Sequence, residues 1–327
     1  KYVQIVQNSI VKEAKDRFAG ITSKDVNSAM LQIRDIDLPE DKVVIDIIKN
    51  QFTLDNGRVV DDPVGALSST VTVTGQVVLA DKSYVRQLTS IFKKANIEID
   101  GIIPNVLAQR SLILDINELS DNVMILDIGA GNTDIGVFNG STFVYTNTIP
   151  LGGDNITNDI AQVFYISEEE AERLKKQYAL ALKSFIDNDT DIMLTTYKGD
   201  EKNKTIKSSE LIEVIEARVE EIFTLVNKQI TSLGIKSNIN NVILTGQGIT
   251  CISKSDVAGK IVLNIPVKIA TGRMISTVKP AYRSSYALVR YVSNRPYAKN
   301  VASRIDVKSN ESFVRAILER IKEFFYT

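Results

Sequence analysis

Apolar and polar residues alternate most cleanly from Thr70 to Leu79, TVTVTGQVVL, with the period of two that a strand shows when one face is buried. Tyr2 to Val6, Val43 to Ile48 and Phe52 to Leu54 read as further strands. Helical spacing takes over from Thr22 to Ile33, with Thr22 or Ser23 as N-cap and Val26, Met30 and Ile33 on the apolar face. It recurs from Arg86 to Lys94, from Ala171 to Leu182 with Leu174 and Tyr178 on one face, and from Leu211 to Leu225. At the end of the chain, Ser309 or Asn310 caps a run in which Phe313, Val314, Ile317, Leu318, Ile321, Phe324 and Phe325 share a face. Val123 to Phe138, VMILDIGAGNTDIGVF, is continuous apolar strand on both sides of a glycine turn and predicts a buried hairpin.

That turn carries candidate chemistry. A P-loop needs GxxxxGK[ST] and a dinucleotide-binding turn needs GxGxxG opening a helix, and neither spacing occurs. Backbone amides at Gly129, Ala130, Gly131 and Asn132 instead suit a small anion nest, with Thr133 adding a hydroxyl donor. Asp127, at the end of the first strand, is placed to face a phosphate-bound magnesium, a hard cation that prefers oxygen ligands and keeps waters. An ordinary tight hairpin with Asx-type turn chemistry is the other reading. Two further glycine turns lie downstream, in Ile149 to Ile160, IPLGGDNITNDI, and in Asn241 to Ile249, NVILTGQGI, a second buried strand with a turn at its end.

Composition narrows the classes. The 327 residues, 44% hydrophobic and 24% charged, suffice for two or more lobes with sizeable cores. A net charge of −1 gives no global field for nucleic acid. The chain has no histidine and one cysteine, Cys251. Ser-His-Asp, Cys-His and imidazole-metal chemistry are thereby excluded, as is a disulfide within the chain, which suits a reducing cytoplasm. No run approaches the roughly 20 apolar residues of a spanning helix.

Taken together, Asp127 to Asp134, Pro150 to Ile160 and Leu244 to Gly248 resemble the phosphate and adenosine loops of the actin, Hsp70 and sugar-kinase superfamily, and most closely its bacterial cell-division member, the FtsA family. Ser167 to Tyr178, SEEEAERLKKQY, and Ile212 to Ile222, IEVIEARVEEI, strengthen that resemblance, which covers nearly the whole chain. It implies an α/β fold: actin-like, RNase H-like lobes with an inserted α+β subdomain of the type called 1C and a C-terminal amphipathic helix. The implied division is 1–12 as a remnant of subdomain 1A, 13–104 as 1C, 105–160 with 240–292 as the nucleotide-binding 2A (105–120 a helix returning to 1A), 161–239 as 2B, 293–309 as linker and 310–327 as the membrane-targeting helix.

The resemblance implies ATP and Mg2+ as cofactors, with Asp127 holding the metal. Gly129, Ala130, Gly131, Asn132 and Thr133 would hold phosphate, and Gly246, Gln247 and Gly248 adenosine. Lys175 or Lys176 would contact ribose and adenine, a solvated basic pair being the alternative. It implies Arg218 as a contact for the C-terminal tail of FtsZ, although pairing with neighbouring glutamates would account for it equally. Further implications are self-assembly into filaments, contact with later division proteins through the 1C-type block, and peripheral membrane binding through Phe313, Ile317, Leu318, Ile321, Phe324 and Phe325. This places the protein on the cytoplasmic face of the membrane at the division site. A terminal helix docked on its own core is the other reading of that last segment.

Departures from the family pattern weaken the expectation of catalysis. Ala130 interrupts the glycine triplet, Asn132 replaces a hydroxyl residue and Gln247 stands where a second glycine is usual. The first phosphate loop expected ahead of these motifs does not occur near Lys1. ATP binding with weak or no hydrolysis is therefore expected. Rival readings are an actin-like adaptor of a pilus or secretion system and a small-molecule kinase of the same superfamily.

Overall fold

The computed structural model describes residues 3–15, 20–114, 121–195, 204–271, 278 and 282–293. The expected terminal helix, with Phe313, Ile317, Leu318, Ile321, Phe324 and Phe325, lies outside them.

The first part is a four-stranded antiparallel sheet, order β1-β4-β2-β3, built from β1 (Val3–Glu13), β2 (Lys42–Leu54), β3 (Val59–Val60) and β4 (Thr70–Asp81). β1 lies largely within the stretch 1–12 implied to be a remnant of another subdomain, yet it pairs with β4 from Val3↔Ala80 to Glu13↔Thr70 and so belongs to this sheet. The runs Val43 to Ile48 and Phe52 to Leu54 are one strand, because β2 passes its polar interruption with register shifts between Val44 and Asp46 and between Lys49 and Gln51. Helix α1 (Ser23–Gln32) covers one face, seating Val26 and Ala29, with Ile33 just beyond its end, on Val71, Val73, Val77 and Leu79. Thr22 caps it, accepting from the Asp25 amide while Asp25 Oδ2 accepts from the Thr22 amide at 3.0 Å. Helix α2 (Lys82–Lys94) follows and buries none of its residues; Ile91 is 57% exposed.

The second sheet has order β11-β10-β5-β6-β7, from β5 (Asn122–Ile128), β6 (Thr133–Asn139), β7 (Thr142–Ile149), β10 (Asn241–Thr245) and β11 (Val267–Ile269). β5, β6 and β7 form an antiparallel meander, and β10 is parallel to β5 and β11. Both faces are covered, which is why β5 and β10 read as unbroken apolar runs. Met124, Leu126 and Ile128 point toward α4 (Gly153–Phe164), α5 (Glu168–Gln177), α6 (Ser208–Ser232) and α7 (Ser255–Leu263). Val123 and Ile125 point the other way, toward α3 (Asn105–Ile113) and α8 (Arg283–Ser293). The polar stretch from Asp187 to Ser208 contains the short antiparallel pair β8 (Asp191–Met193) and β9 (Thr205–Lys207). Gln76 of β4 joins the two sheets: its buried amide donates to the Phe143 carbonyl at 2.7 Å and accepts from the Phe143 amide at 2.9 Å, as a strand would.

Candidate functional site

β5 and β10 end side by side, with Thr245 in register with Asp127, and the turns leaving them meet there. The edge beyond the carboxyl ends of neighbouring parallel strands is where open α/β sheets bind ligands. Three glycine segments converge on it so closely that side chains are excluded. A Cβ on Gly248 would stand 2.0 Å from the Gly129 carbonyl oxygen, and one on Gly152 would stand 2.4 Å from that of Ala130. Gly246 has φ +91°, and a Cβ there would meet the Ile128 oxygen at 2.3 Å and Asp127 Oδ1 at 2.4 Å. The amides of Gly153 and Asp154, in the first turn of α4, donate to the carbonyls of Gly129 and Ala130 at 2.9 and 2.8 Å and fix the hairpin turn to the helix.

Over the hairpin turn itself there is open space. A Cβ on Gly131 would meet nothing within 4 Å, and none of Gly129, Ala130 and Gly131 has positive φ, so the alanine is accommodated. Ala130, Gly131 and Asn132 are exposed, and among the described residues no acceptor takes their amides. One exposed turn thus holds three backbone donors that no described group uses, which is the raw material of an anion nest. Thr133 differs from expectation: fully buried, it donates its hydroxyl to the Leu151 carbonyl at 2.8 Å, so it braces the turn from beneath instead of offering a donor above it. Asn132 donates to Asp134, and Gln247 is exposed at the rim.

Asp127 is 8% exposed and is held by two amides from α3: Asn105 Nδ2 and Gln109 Nε2 each donate to its Oδ2 at 2.6 Å. Burial pushes its carboxyl above the ordinary carboxylate value, the Gln109 hydrogen bond opposes that shift, and the charge of Asp134 adds to it. Among the described residues no group of three or more carboxylates, cysteines or histidines gathers here or elsewhere. The sequence reading missed Asn105 and Gln109; their one signal is the i, i+4 spacing that puts two amides on one face of a helix.

The lysine pair on α5 is divided. Lys176 is exposed, 3.2 Å from Glu172 Oε1. Lys175 is buried, its Nζ 2.6 Å from Glu172 Oε2, 2.7 Å from Thr157 Oγ1 and 3.0 Å from the Gly153 carbonyl. Arg218 of α6 makes a two-pronged pair with Asp159 of α4, at 2.5 and 2.8 Å, and a third contact with Glu221. It lines an open groove of about 530 Å³ between α4 and α6, with Val163, Phe164 and Val214 among the walls.

The family profile described as "Cell division protein FtsA" matches residues 124–287, and "SHS2 domain inserted in FTSA" matches residues 1–79. A third profile, "Type IV pilus assembly protein PilM", matches residues 60–187. The chain is 30% identical to the cell division protein FtsA of Bacillus subtilis over 316 residues, 97% of this chain and 71% of that one. It is 24% identical to the Pseudomonas aeruginosa FtsA, over 99% of this chain and 80% of the relative. Among solved structures, MreB5 of Spiroplasma citri bound to AMPPNP superposes with a TM-score of 0.55 at 18% identity, covering 69% of this chain and 68% of that one. PilM in the PilM-PilN pilus complex superposes at 0.51 and 14% identity, covering 88% and 76%. The two structural neighbours fix the fold as actin-like, and the match along nearly its whole length to curated relatives places this chain in the FtsA family of cell division proteins.

Proposed function

We propose that the protein binds ATP at the junction of β5 and β10, assembles into filaments, and tethers FtsZ filaments to the cytoplasmic face of the membrane at the division site, where it recruits later division proteins. One observation carries the nucleotide assignment: the exposed residues 130–132, whose amides no described acceptor takes, stand beside a glycine-packed junction and a buried carboxylate. The MreB5 neighbour, of the same fold, was solved with AMPPNP, which supports a nucleotide as the occupant.

In this reading the turn from Gly129 to Asn132 takes phosphate oxygens, Gly246 to Gly248 borders the adenosine, and Lys175 or Lys176 contacts ribose and adenine. Asp127 would hold magnesium. A single carboxylate supplemented by water and phosphate oxygens suits that cation, which keeps several waters and needs no closed protein cage. Bound there, magnesium would neutralise phosphate charge. Asn105 and Gln109 orient the Asp127 carboxylate, among the described residues no general base stands beside it in a role of its own, and in this reading the protein acts as a scaffold more than as a catalyst.

The groove between α4 and α6 is the proposed seat of the FtsZ tail, whose carboxylates would compete with Asp159 for Arg218. The inserted sheet is assigned to contacts with the next subunit and with other division proteins, and the apolar residues Phe313, Ile317, Leu318, Ile321, Phe324 and Phe325 to the membrane. The test is titration of the purified protein with a fluorescent ATP analogue and magnesium. Saturable binding that Asp127→Ala weakens at least about tenfold is expected, that being roughly 1.4 kcal/mol. Equal binding by wild type and variant would overturn the site. A labelled FtsZ tail peptide, titrated against wild type and Arg218→Ala, tests the groove in the same format.

A further inference from the structure

The buried amide that holds Asp127 is oversubscribed. Gln109 is 3% exposed, and its Nε2 lies 2.6 Å from Asp127 Oδ2, 3.1 Å from Asn105 Oδ1 and 3.3 Å from Ser284 Oγ. A side-chain amide nitrogen carries two hydrogens, so three acceptors share two donors and one of them is always short. An ionised carboxylate has the first claim, because a hydrogen bond to a charged acceptor is about twice as strong as one between neutral groups. Asn105, one turn earlier on α3, and Ser284, on α8, compete for what is left.

Ser284 opens a stripe that runs to the inserted sheet. Ser284, Ala287 and Tyr291 recur at i, i+3 and i+7 and share one face of α8. Ala287 is fully buried in the core that this helix shares with α3, and Tyr286, Leu288 and Tyr291 pack on the same cluster. Seven residues of helix extend roughly 10 Å, so Tyr291 stands two turns from Ser284 on a stiff element. There its hydroxyl donates to Asp46 Oδ2 at 3.1 Å. Asp46 lies at the first register shift of β2, and its other oxygen accepts from the Ile47 amide at 2.8 Å. Ile48 of β2 and Ile5 of β1 pack on the same core as Tyr291. The inserted sheet is therefore docked through contacts of unequal strength: Gln76 makes two buried hydrogen bonds to a backbone, whereas the Tyr291 hydroxyl reaches a half-buried carboxylate at a bulge.

We propose that Gln109 is a switch between the ligand site and the inserted sheet, with α8 as the rod that connects them. When a ligand engages the Asp127 carboxylate, Gln109 has a hydrogen to spare for Ser284; the start of α8 is then pinned to α3, and its far end holds Asp46 more firmly. Three acceptors on two donors supply the discrete choice that coupling between distant sites needs. The reverse also holds, because such coupling is reciprocal: whatever frees Asp46 from Tyr291 weakens binding at Asp127. Gln109, Ser284 and Tyr291 act here as positioning residues. That a ligand reaches Asp127 rests on the proposed ATP site, while the tie from α8 to the inserted sheet rests only on the contacts described above.

Hydrogen exchange on the full chain reads both parts. Without nucleotide, Tyr291→Phe, which removes only the hydroxyl, is expected to raise exchange at amides 45–48 by about threefold or more, with β5 and β10 unchanged. Asp46→Asn should act on the same amides, and the double variant should fall short of the sum, as expected for two residues in one contact. Unchanged exchange at the bulge in Tyr291→Phe, or additive effects, would overturn the rod. In the second arm, saturating fluorescent ATP analogue with magnesium should lower exchange at amides 45–48 of the wild type by about threefold or more. Ser284→Ala and Tyr291→Phe should each abolish that protection, and Tyr291→Phe should bind the analogue more weakly by a similar factor. Saturable binding with no protection at the bulge, or protection that survives in Ser284→Ala, would overturn the switch. If the wild-type protein takes no nucleotide, the ATP site and the switch fall together, while the first arm still decides whether α8 ties the inserted sheet to the central one.

Discussion

The two sheets of this molecule solve different problems with similar residues. In the central sheet β5 is buried from Val123 to Ile128, alternate side chains entering the cores on its two faces. In the inserted sheet β1 buries none of its eleven residues, alternating between exposed and half-buried, and Val11 is 63% exposed. A strand covered on both sides leaves no freedom of register and must end where its loops can pack, whereas a strand with one wet face and a free edge is built to be surface. In the central sheet the consequence appears at the strand ends, where backbone meets backbone and only glycine fits. In the inserted sheet the glycines of two turns serve conformation alone: a Cβ on Gly57, at φ +80°, or on Gly65, at φ +83°, would touch nothing within 4 Å.

The sharpest way to break that contrast is to add one methyl group on each side of it. Gly248→Ala drives a carbon to 2.0 Å from a carbonyl oxygen held by a helix, so several loops must shift together. A loss of at least about 3 kcal/mol in urea unfolding is expected, in the range reserved for strain at special backbone positions. Gly57→Ala should cost only the left-handed backbone term, about 1–2 kcal/mol. Equal costs would mean that the junction relaxes freely and that its glycines are not what packs it.

A second test exchanges side chains instead of backbone. Leu126 is completely buried in the middle of β5, and Leu126→Ala should cost about 2–5 kcal/mol, depending on how far the site collapses. Val11→Ala, on the wet face, should stay within about 0.5 kcal/mol. Parallel urea titrations give both values. A large cost at Val11 would show that the outer face of the inserted sheet is covered in solution.

The same contrast explains what is legible in the sequence. Strand periodicity and the glycine turns come from local chain physics, so the hairpin, β4 and α1 could be read from residue types and spacing, whereas the meeting of three turns came from the family resemblance. β2 was divided in the sequence because its polar middle breaks the alternation, and bulges that carry a strand through such a break leave no mark in composition. Asn105 and Gln109 lie 22 and 18 positions before Asp127, and only the packing of α3 on the sheet brings their amides to its carboxylate. Lys175 and Lys176 could not be told apart from spacing, since adjacent helical positions differ by about 100° in direction and the faces of α5 are set by α4. The charge of Arg218 was plain in the sequence, and its partner on another helix, Asp159, was not.

A smaller loss than that of either change in the central sheet is expected in the inserted one, at the start of the helix that covers it. Thr22 and Asp25 cap α1 reciprocally, with Thr22 Oγ1 donating to Asp25 Oδ2 at 2.5 Å. That hydrogen bond, opposed by burial, holds the Asp25 carboxyl below its ordinary value of 3.8. A carboxylate depressed in the folded state contributes stability that is present above its unfolded pKa and is lost as pH falls through the folded value. Thr22→Ala should therefore cost about 1 kcal/mol near neutral pH, the usual worth of a lost N-cap, and the difference from wild type should shrink as pH falls below about 3.8. Exchange of the α1 amides at neutral and acid pH measures it locally, with the central sheet as internal reference. A difference that stays constant through that pH window would show that the Thr22 hydroxyl caps α1 without the carboxylate, and a loss spread to β5 and β10 would show that the inserted sheet and the central one unfold as a single unit through Gln76.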